Sequence, residues 1–350
     1  MPIDYDYFRN KVDRSKLSRN DKKSLLDNIT QLEISDLPVI LDLHDFQRYV
    51  PQSAKDLAAM VNAPHHFYRR FKIPKRSGGE REILAPFPSL ANVQRWITSE
   101  ILSKADLHDS AIAYRADSST KDHVWPHVGR LVLFRADIRN FFPSITIDIV
   151  RELFSKIGYS ISAARLLAQL VTLDQSVPQG APSSPALSNA VCFSLDCAVT
   201  EISHKHGLHY TRYADDFAFS GDAIPTTFVN ELSEVLDTNG FGLNHKKTRL
   251  YGSKENVRFL TGLVLTPDRI RPPKHFRRWI RQRLFYLERF MVTDLDAPRD
   301  ARSKSELLQN AFLLDSLRGK IGYWIWVDPL DIEAQDHLWR LNRIDAHLAA

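Results

Sequence analysis

The sequence predicts an α+β fold: an antiparallel sheet covered by helices, then a mainly helical C-terminal region. Three observations predict it. The apolar run Leu131-Val132-Leu133-Phe134-Arg135-Ala136-Asp137 reads as a buried strand that ends in a carboxylate. Residues 208–213 and 217–220 read as two short strands around the tight connection Ala214-Asp215-Asp216. Helical periodicities lie between and after these strands. The order strand, helices, hairpin, helix, strand suits an antiparallel sheet better than a regularly alternating parallel one.

Each element has its own signal. Residues 14–62 read as short helices, with Ser53 as an N-cap before Ala54-Lys55-Asp56-Leu57. Residues 67–85 alternate about a turn at Lys75-Arg76-Ser77-Gly78-Gly79, a basic β-hairpin. Over residues 90–104, Val93, Ile97, Ile101 and Leu102 form one apolar helical face. Pro185 suits the first turn of a helix that buries Val191, Leu195 and Val199. Phe228, Leu232, Val235 and Leu236 follow helical spacing, and Gly240 stands where a helix C-terminus favours glycine. Pro267 and Pro272-Pro273 mark a boundary near 265–273. Beyond it, residues 271–289 hold seven Lys/Arg against one acid, with Phe276, Trp279, Phe285 and Tyr286 interleaved.

Composition narrows the function classes. The chain has 350 residues, 43% of them apolar and 25% charged, which suits a large globular unit. No window approaches 18 uninterrupted apolar residues, and the first residues lack a basic segment before an apolar stretch. Neither a membrane span nor a signal peptide is expected. The two cysteines, Cys192 and Cys197, lie five apart in an expected helix and face different ways, which excludes a cysteine-based zinc site and points to a reducing, cytoplasmic setting. A net charge of +5 and a pI near 9.1 lean mildly toward a polyanionic partner.

The acids carry the chemistry. In isolation, Asp215-Asp216 at a hairpin tip is most simply a solvated turn. Two adjacent carboxylates repel, however, and a cation would relieve them. Asp137 ends a second buried strand, so neighbouring strand ends would bring it beside Asp215. Hard oxygen ligands suit Mg²⁺. Two such ions about 3.5–4 Å apart promote nucleotidyl transfer.

Five segments, in order, resemble the motifs of reverse transcriptases. They are Asp137-Ile138-Arg139-Asn140-Phe141-Phe142-Pro143-Ser144, Pro178-Gln179-Gly180-Ala181-Pro182-Ser183-Ser184-Pro185, Tyr213-Ala214-Asp215-Asp216, Asn244-His245-Lys246-Lys247-Thr248 and Leu260-Thr261-Gly262-Leu263. The subfamily most resembled is the bacterial retron type, over roughly residues 35–330. The stretch His123-Val124-Trp125-Pro126-His127 keeps only the final His of that subfamily's Asn-Ala-x-x-His signature. His127 is assigned no chemistry.

The resemblance implies a right-hand polymerase. Residues 1–62 would be an N-terminal helical extension and 63–130 the fingers. Residues 131–265 would be the palm, with a finger insertion around 150–178, and 266–350 the thumb. Asp137, Asp215 and Asp216 would be catalytic and hold two Mg²⁺ (Mn²⁺ as a substitute), with the Ile138 carbonyl as a further ligand. Lys75, Arg81, Phe142, Gln179, Gly180 and Lys246 would line the nucleotide site. By the resemblance Phe142 would be a steric gate against a ribose 2′-OH; two adjacent Phe on a strand cannot both face one way, so one of the pair would be core and the other the gate. Either Lys246 or Lys247 would protonate the leaving pyrophosphate. Leu260, Gly262, Lys274, Arg277, Arg278 and Arg281 would contact nucleic acid.

The implied partners are dNTPs, a structured non-coding RNA and its RNA-linked DNA product, and a separate effector protein in anti-phage defence. Two other readings compete. One is another defence-associated or group II intron-like enzyme. The other is a non-catalytic RNA-binding scaffold, which would have no need of clustered acids.

Overall fold

In the computed structural model, the structure describes residues 3–74, 78–291 and 304–349. Four helices open the chain: α1 (Tyr5–Asp13), α2 (Arg19–Ile34), α3 (Leu43–Phe46) and α4 (Ala54–Asn62). Ser53 caps α4 as expected, accepting from the Asp56 amide while the Asp56 carboxylate takes the Ser53 amide. These exchanges satisfy amides that have no partner inside the helix. Strands β1 (Tyr68–Pro74) and β2 (Glu80–Pro86) then form the antiparallel hairpin, with Ile73 opposite Arg81. Lys75, in its turn, lies outside the described residues. Helix α5 (Pro88–Glu100) and the short α6 (Thr120–Val124) lead to the central sheet.

That sheet is built from strands distant in sequence. Strand β3 (Val132–Asp137) is followed by α7 (Phe141–Ser144), α8 (Ile147–Ile157), α9 (Ile161–Val171), α10 (Ser184–Val191) and α11 (Phe193–Lys205). Then come β4 (His209–Tyr213), β5 (Asp216–Gly221), α12 (Thr226–Thr238) and β6 (Arg249–Tyr251). The strand order is β4-β5-β3-β6, all antiparallel. The expected helix after Pro185 is in fact two: α10 ends at Val191, and Cys192 separates it from α11. Cys192 is buried and Cys197 exposed, and they are not bonded to each other.

Strands β7 (Arg258–Leu260), β8 (Leu263–Leu265) and β9 (Ile270–Arg271) make a second small sheet. Helices α13 (Lys274–Tyr286), α14 (Lys304–Val327) and α15 (Ile332–Ala349) complete the chain. Among the described residues no helix is long and apolar enough to cross a membrane.

One core runs from Phe8 through Phe46, Phe154 and Phe219 to Leu243, so the first helices, the hairpin and the central sheet are packed together. Beneath β4 and β5, Tyr210 stacks on Phe219 at 5.1 Å between ring centres, and Phe219 meets Phe228 edge-on at 4.9 Å. Such rings each contribute roughly 1.5–3 kcal/mol by burial. The last helices gather around a separate core of Ile280, Leu284, Ile321 and Trp324.

The core also encloses one charge pair. Arg212 and Asp196 are both fully buried, joined by Nε–Oδ1 at 2.7 Å and Nη2–Oδ2 at 2.6 Å. Tyr210 donates its hydroxyl to the same Asp196 Oδ1 at 2.7 Å. Removing one partner leaves an uncompensated buried charge. Asp196→Ala should therefore cost about 3–5 kcal/mol of unfolding free energy, read from urea denaturation. A loss below about 1 kcal/mol would mean the pair is not the anchor described here.

Candidate active site

The site is built by strand register. Asp137, last in β3, stands directly opposite Asp216, first in β5. Asp215 occupies the turn between β4 and β5, and its carbonyl accepts from the Ile138 amide at 3.1 Å. The turn is tight because Ala214 is left-handed, with φ +56°. Side-chain exposure rises from 2% at Asp137 through 16% at Asp216 to 42% at Asp215. Burial, and after it the charges of Asp137 and Asp216, push the Asp215 carboxyl up to about 6. Burial also raises Asp216, against the pull of Arg135.

Protein cations meet these acids. Lys247 Nζ lies 2.7 Å from Asp137 Oδ2 and 4.0 Å from Asp215 Oδ2. Arg135 donates to Asp216 Oδ1 from Nε at 3.1 Å and from Nη2 at 2.7 Å. Asn244 Nδ2 donates to Asp137 Oδ1 at 2.9 Å, and the Asn244 amide to the Asp137 carbonyl at 2.7 Å. With these partners in place, no three His, Cys, Asp or Glu side chains among the described residues are grouped ready to hold a metal. The donor chemistry still fits a hard divalent cation. Asp137 and Asp215 share only the Lys247 ammonium, whose side chain is 54% exposed and has room to withdraw. Asp216 is more firmly engaged, by Arg135. Ile138 pairs with Leu243 in a bridge whose bonds use the flanking Asp137 carbonyl and Arg139 amide. The Ile138 carbonyl has no part in those two bonds.

Around the acids the expected residues divide. Phe141 is buried and packs near Phe241, while Phe142 is half-buried. The pair, expected on a strand, stands on a helical turn instead. The two rings stand in the single helical turn α7, entered through left-handed Asn140 (φ +51°), and diverge because consecutive helical residues point about 100° apart. Gly180 has φ +122°, and a Cβ there would fall 2.7 Å from Ile83 Cγ2. The preceding Gln179 carbonyl accepts from the Leu84 amide at 2.8 Å. Glycine is thus required for the close approach of this loop to β2. Arg81 is exposed near the start of β2. Of the two candidate lysines, Lys247 is the one at the acids, and Lys246 is exposed without a described contact to them.

One nucleic-acid contact read from the sequence needs correction, and two others already have partners within the fold. Leu260 is fully buried beside Leu263, so its side chain is core; the Thr261–Gly262 turn, with φ +45° and +80°, is the part presented outward. Arg281 is paired with Glu333 of α15, Nη2 to Oε2 at 2.7 Å. Arg277 is half-buried, with its guanidinium over the Trp324 ring at 5.7 Å. Lys274 and Arg278 remain exposed.

Sequence reasoning missed Arg135 and Asn244. Arg135 had a readable signal: it is two residues before Asp137 and so shares its face of the strand. The buried histidines are scaffold. His127 Nδ1 lies 2.7 Å from Ser220 Oγ, and its Nε2 lies 2.8 Å from Thr211 Oγ1, which also meets His123 Nδ1 at 2.8 Å. This network ties the segment before β3 to both strands that carry the Asp215 turn.

Residues 73–263 match the family described as reverse transcriptase (RNA-dependent DNA polymerase). The chain is 28% identical over 264 residues to the retron Ec86 reverse transcriptase of Escherichia coli, covering 74% of this chain and 82% of that one. It is 27% identical over 306 residues to the retron Ec83 reverse transcriptase of Escherichia coli, covering 83% and 92%. It is 37% identical over 203 residues to the retron Mx65 reverse transcriptase of Myxococcus xanthus, and there spans 52% of this chain but only 48% of the relative. A telomerase from Candida albicans superposes with a TM-score of 0.46 at 10% identity, over 79% of this chain and 63% of that one.

The histidine network makes stability pH-dependent. Burial, then His209 and Arg130, lowers His127 to about 3 in the fold, against about 6.5 in an unfolded chain. Between those values the unfolded state binds the extra proton. This contribution is therefore full above about pH 6.5 and is lost as pH falls toward 3. His127→Asn should flatten the pH dependence of unfolding free energy between pH 4 and 6 by about 1.4 kcal/mol per pH unit. Parallel wild-type and variant curves would contradict the assignment.

Proposed function

The chain belongs to the reverse transcriptase family and is an RNA-directed DNA polymerase of retron type, and from that premise we propose that Asp137 and Asp215 are its principal metal ligands. The observation that carries this reading is the pairing of Asp137 with Asp216 across adjacent strands, with Asp215 in the turn and a single ammonium between Asp137 and Asp215. Asp216, engaged by Arg135, is the positioning acid. Enzymes of this family use divalent metal ions. Two Mg²⁺ would be held here, with Mn²⁺ as a substitute and the Ile138 carbonyl as a further ligand, a choice supported by the all-oxygen donor set. Bound there, such ions would activate the attacking hydroxyl and neutralise charge on the leaving pyrophosphate.

The chain's own residues supply the rest. Arg81, on the exposed β-hairpin, binds the triphosphate of the incoming dNTP, its planar fork matching phosphate oxygens. Lys75 would assist it. Gln179 and Gly180 form the nucleotide pocket wall, held against β2. Phe142 closes the space where a ribose 2′-OH would sit. Lys247, rather than Lys246, is the proton donor to pyrophosphate. Lys274, Arg278 and the Thr261–Gly262 turn meet the template–primer backbone, where cation contacts make binding salt-dependent. In this assignment residues 63–130 are the fingers, 131–265 the palm with a finger insertion around 150–178, and 266–350 the thumb.

The template is RNA. We take it to be a structured non-coding RNA, copied in the cytoplasm into RNA-linked single-stranded DNA, with a separate effector protein in anti-phage defence. These finer statements rest on the resemblance to retron enzymes.

Two measurements test the site. In primer extension on poly(rA)/oligo(dT) with Mg²⁺, replacing Asp215 and Asp216 together by Ala should remove several kcal/mol of charge stabilisation, roughly 1,000-fold or more in rate. Equal incorporation by variant and wild type would remove the enzymatic role of these acids. Phe142→Ala should lower the preference for dNTP over rNTP on the order of 10-fold or more. An unchanged ratio would show that Phe142 is not the gate.

A further inference from the structure

Seven non-glycine residues among those described have left-handed backbone. Asn140, Ala214 and Thr261 fall inside three of the motifs already discussed. Asp36, Asp174 and Gln175 are polar residues outside those motifs. The seventh is Tyr114, with φ +65°. A bulky aromatic side chain in this region is a genuine outlier, and such conformations persist only where the surroundings over-determine them.

The surroundings here are specific. Ala111 bridges in parallel to Arg212 of β4. The Ile112 amide donates to the Arg212 carbonyl at 2.8 Å, and the Arg212 amide to the Ser110 carbonyl at 2.7 Å. Asn189 Nδ2 donates to the Ala113 carbonyl at 2.6 Å. The buried Arg212 guanidinium, held by Asp196, donates from Nη1 to Asn189 Oδ1 at 3.3 Å and to the Ala214 carbonyl at 3.2 Å. One guanidinium therefore braces the turn that carries Asp215 and the segment that carries Tyr114.

Packing does not account for the strain. Ala111 and Ala113 are buried, yet Tyr114 is 48% exposed. Its phenol also feels the cleft: beyond the effect of burial, Asp215 and Tyr213 raise its pKa, while Arg212 and Arg81 lower it.

We propose that Tyr114 is a substrate-contacting residue whose ring is a stacking platform for a nucleobase at the insertion point, beside the Asp215 turn that the same guanidinium braces. The proposal rests on the polymerase reading. Every base has a π-face, so such a platform serves all four templates without discriminating among them.

The test uses the full chain and three variants: Tyr114→Phe, Tyr114→Ala and Tyr114→Gly. Glycine accepts φ +65° without strain, so Tyr114→Gly should keep or raise the unfolding midpoint while removing the ring. Two affinities are read at equilibrium: that for an RNA–DNA template–primer with a chain-terminated primer, and that of the resulting complex for the next complementary dNTP. Loss of one base–aromatic stack should weaken one of them by roughly 5- to 150-fold in the Ala and Gly variants. Weakening of the first would identify the templating base, and of the second the incoming base. Tyr114→Phe should match wild type. Changes below about twofold in both affinities, or a Phe variant as impaired as Ala, would overturn the proposal. A wild type that binds normally but incorporates no dNTP would instead overturn the polymerase reading.

Discussion

Asp137 and Asp216 face each other across β3 and β5, and the rest of the structure is arranged to make that pairing tolerable. Side chains alternate along a strand, so a slip of one residue would turn every side chain of β3 to the opposite face. Asp137 would then leave the cleft, and the alternating Phe134 and Ala136 would leave the core. The aromatic packing of Tyr210, Phe217, Phe219 and Phe228 beneath the sheet is what forbids the slip. Burial on one face thereby fixes a charge arrangement on the other.

The electrostatic conflict is handled in two layers. At the surface of the cleft, Arg135 and Lys247 supply counter-charge, but differently. Arg135 binds Asp216 through two nitrogens, from a planar group suited to a fixed contact. Lys247 is a point charge on a flexible, largely exposed stem between Asp137 and Asp215. The acids most suited to exchanging partners are therefore those met by the more mobile cation. Beneath the turn, Arg212 and the His123–Thr211–His127–Ser220 network hold the backbone itself. These groups are fully desolvated, so their hydrogen bonds are costly to break and leave the turn little freedom to relax away from the strain at Ala214.

Much of this was legible in the sequence because the signals are local. Asp137 at the end of an apolar run, the paired acids between two short strands and the Ser53 cap each follow from a few neighbouring residues. What was not legible depends on contacts between distant segments. The break at Cys192 interrupts a continuous apolar periodicity, so no pattern announced it. Phe141 and Phe142 diverge on a helical turn that only the left-handed Asn140 creates. Gly180 reads as a residue near a nucleotide, yet the atoms that demand glycine belong to Ile83 and Leu84, nearly a hundred positions earlier. Asn244 lies in a motif visible from the start, but its grip on Asp137 requires the loop after α12 to fold back on β3.

The same distinction governs how basic residues should be read. Counting Lys and Arg over 271–289 suggests one continuous cationic face. The fold divides it: Arg281 pairs with the part-exposed Glu333, Arg277 lies over Trp324, and Arg271 reaches Asp331 at 2.7 Å, which also accepts from the Trp324 indole at 3.1 Å. Planar guanidinium groups recur at these partnered positions, where a fixed fork and an aromatic-compatible face are useful. Lys274 and Arg278 keep their charge in solvent. Charge density along a helix therefore overstates the surface available to a polyanion wherever neighbouring helices carry acids and tryptophan at matching positions. Here α14, α15 and the turn between them do so, with Trp324, Glu333 and Asp331.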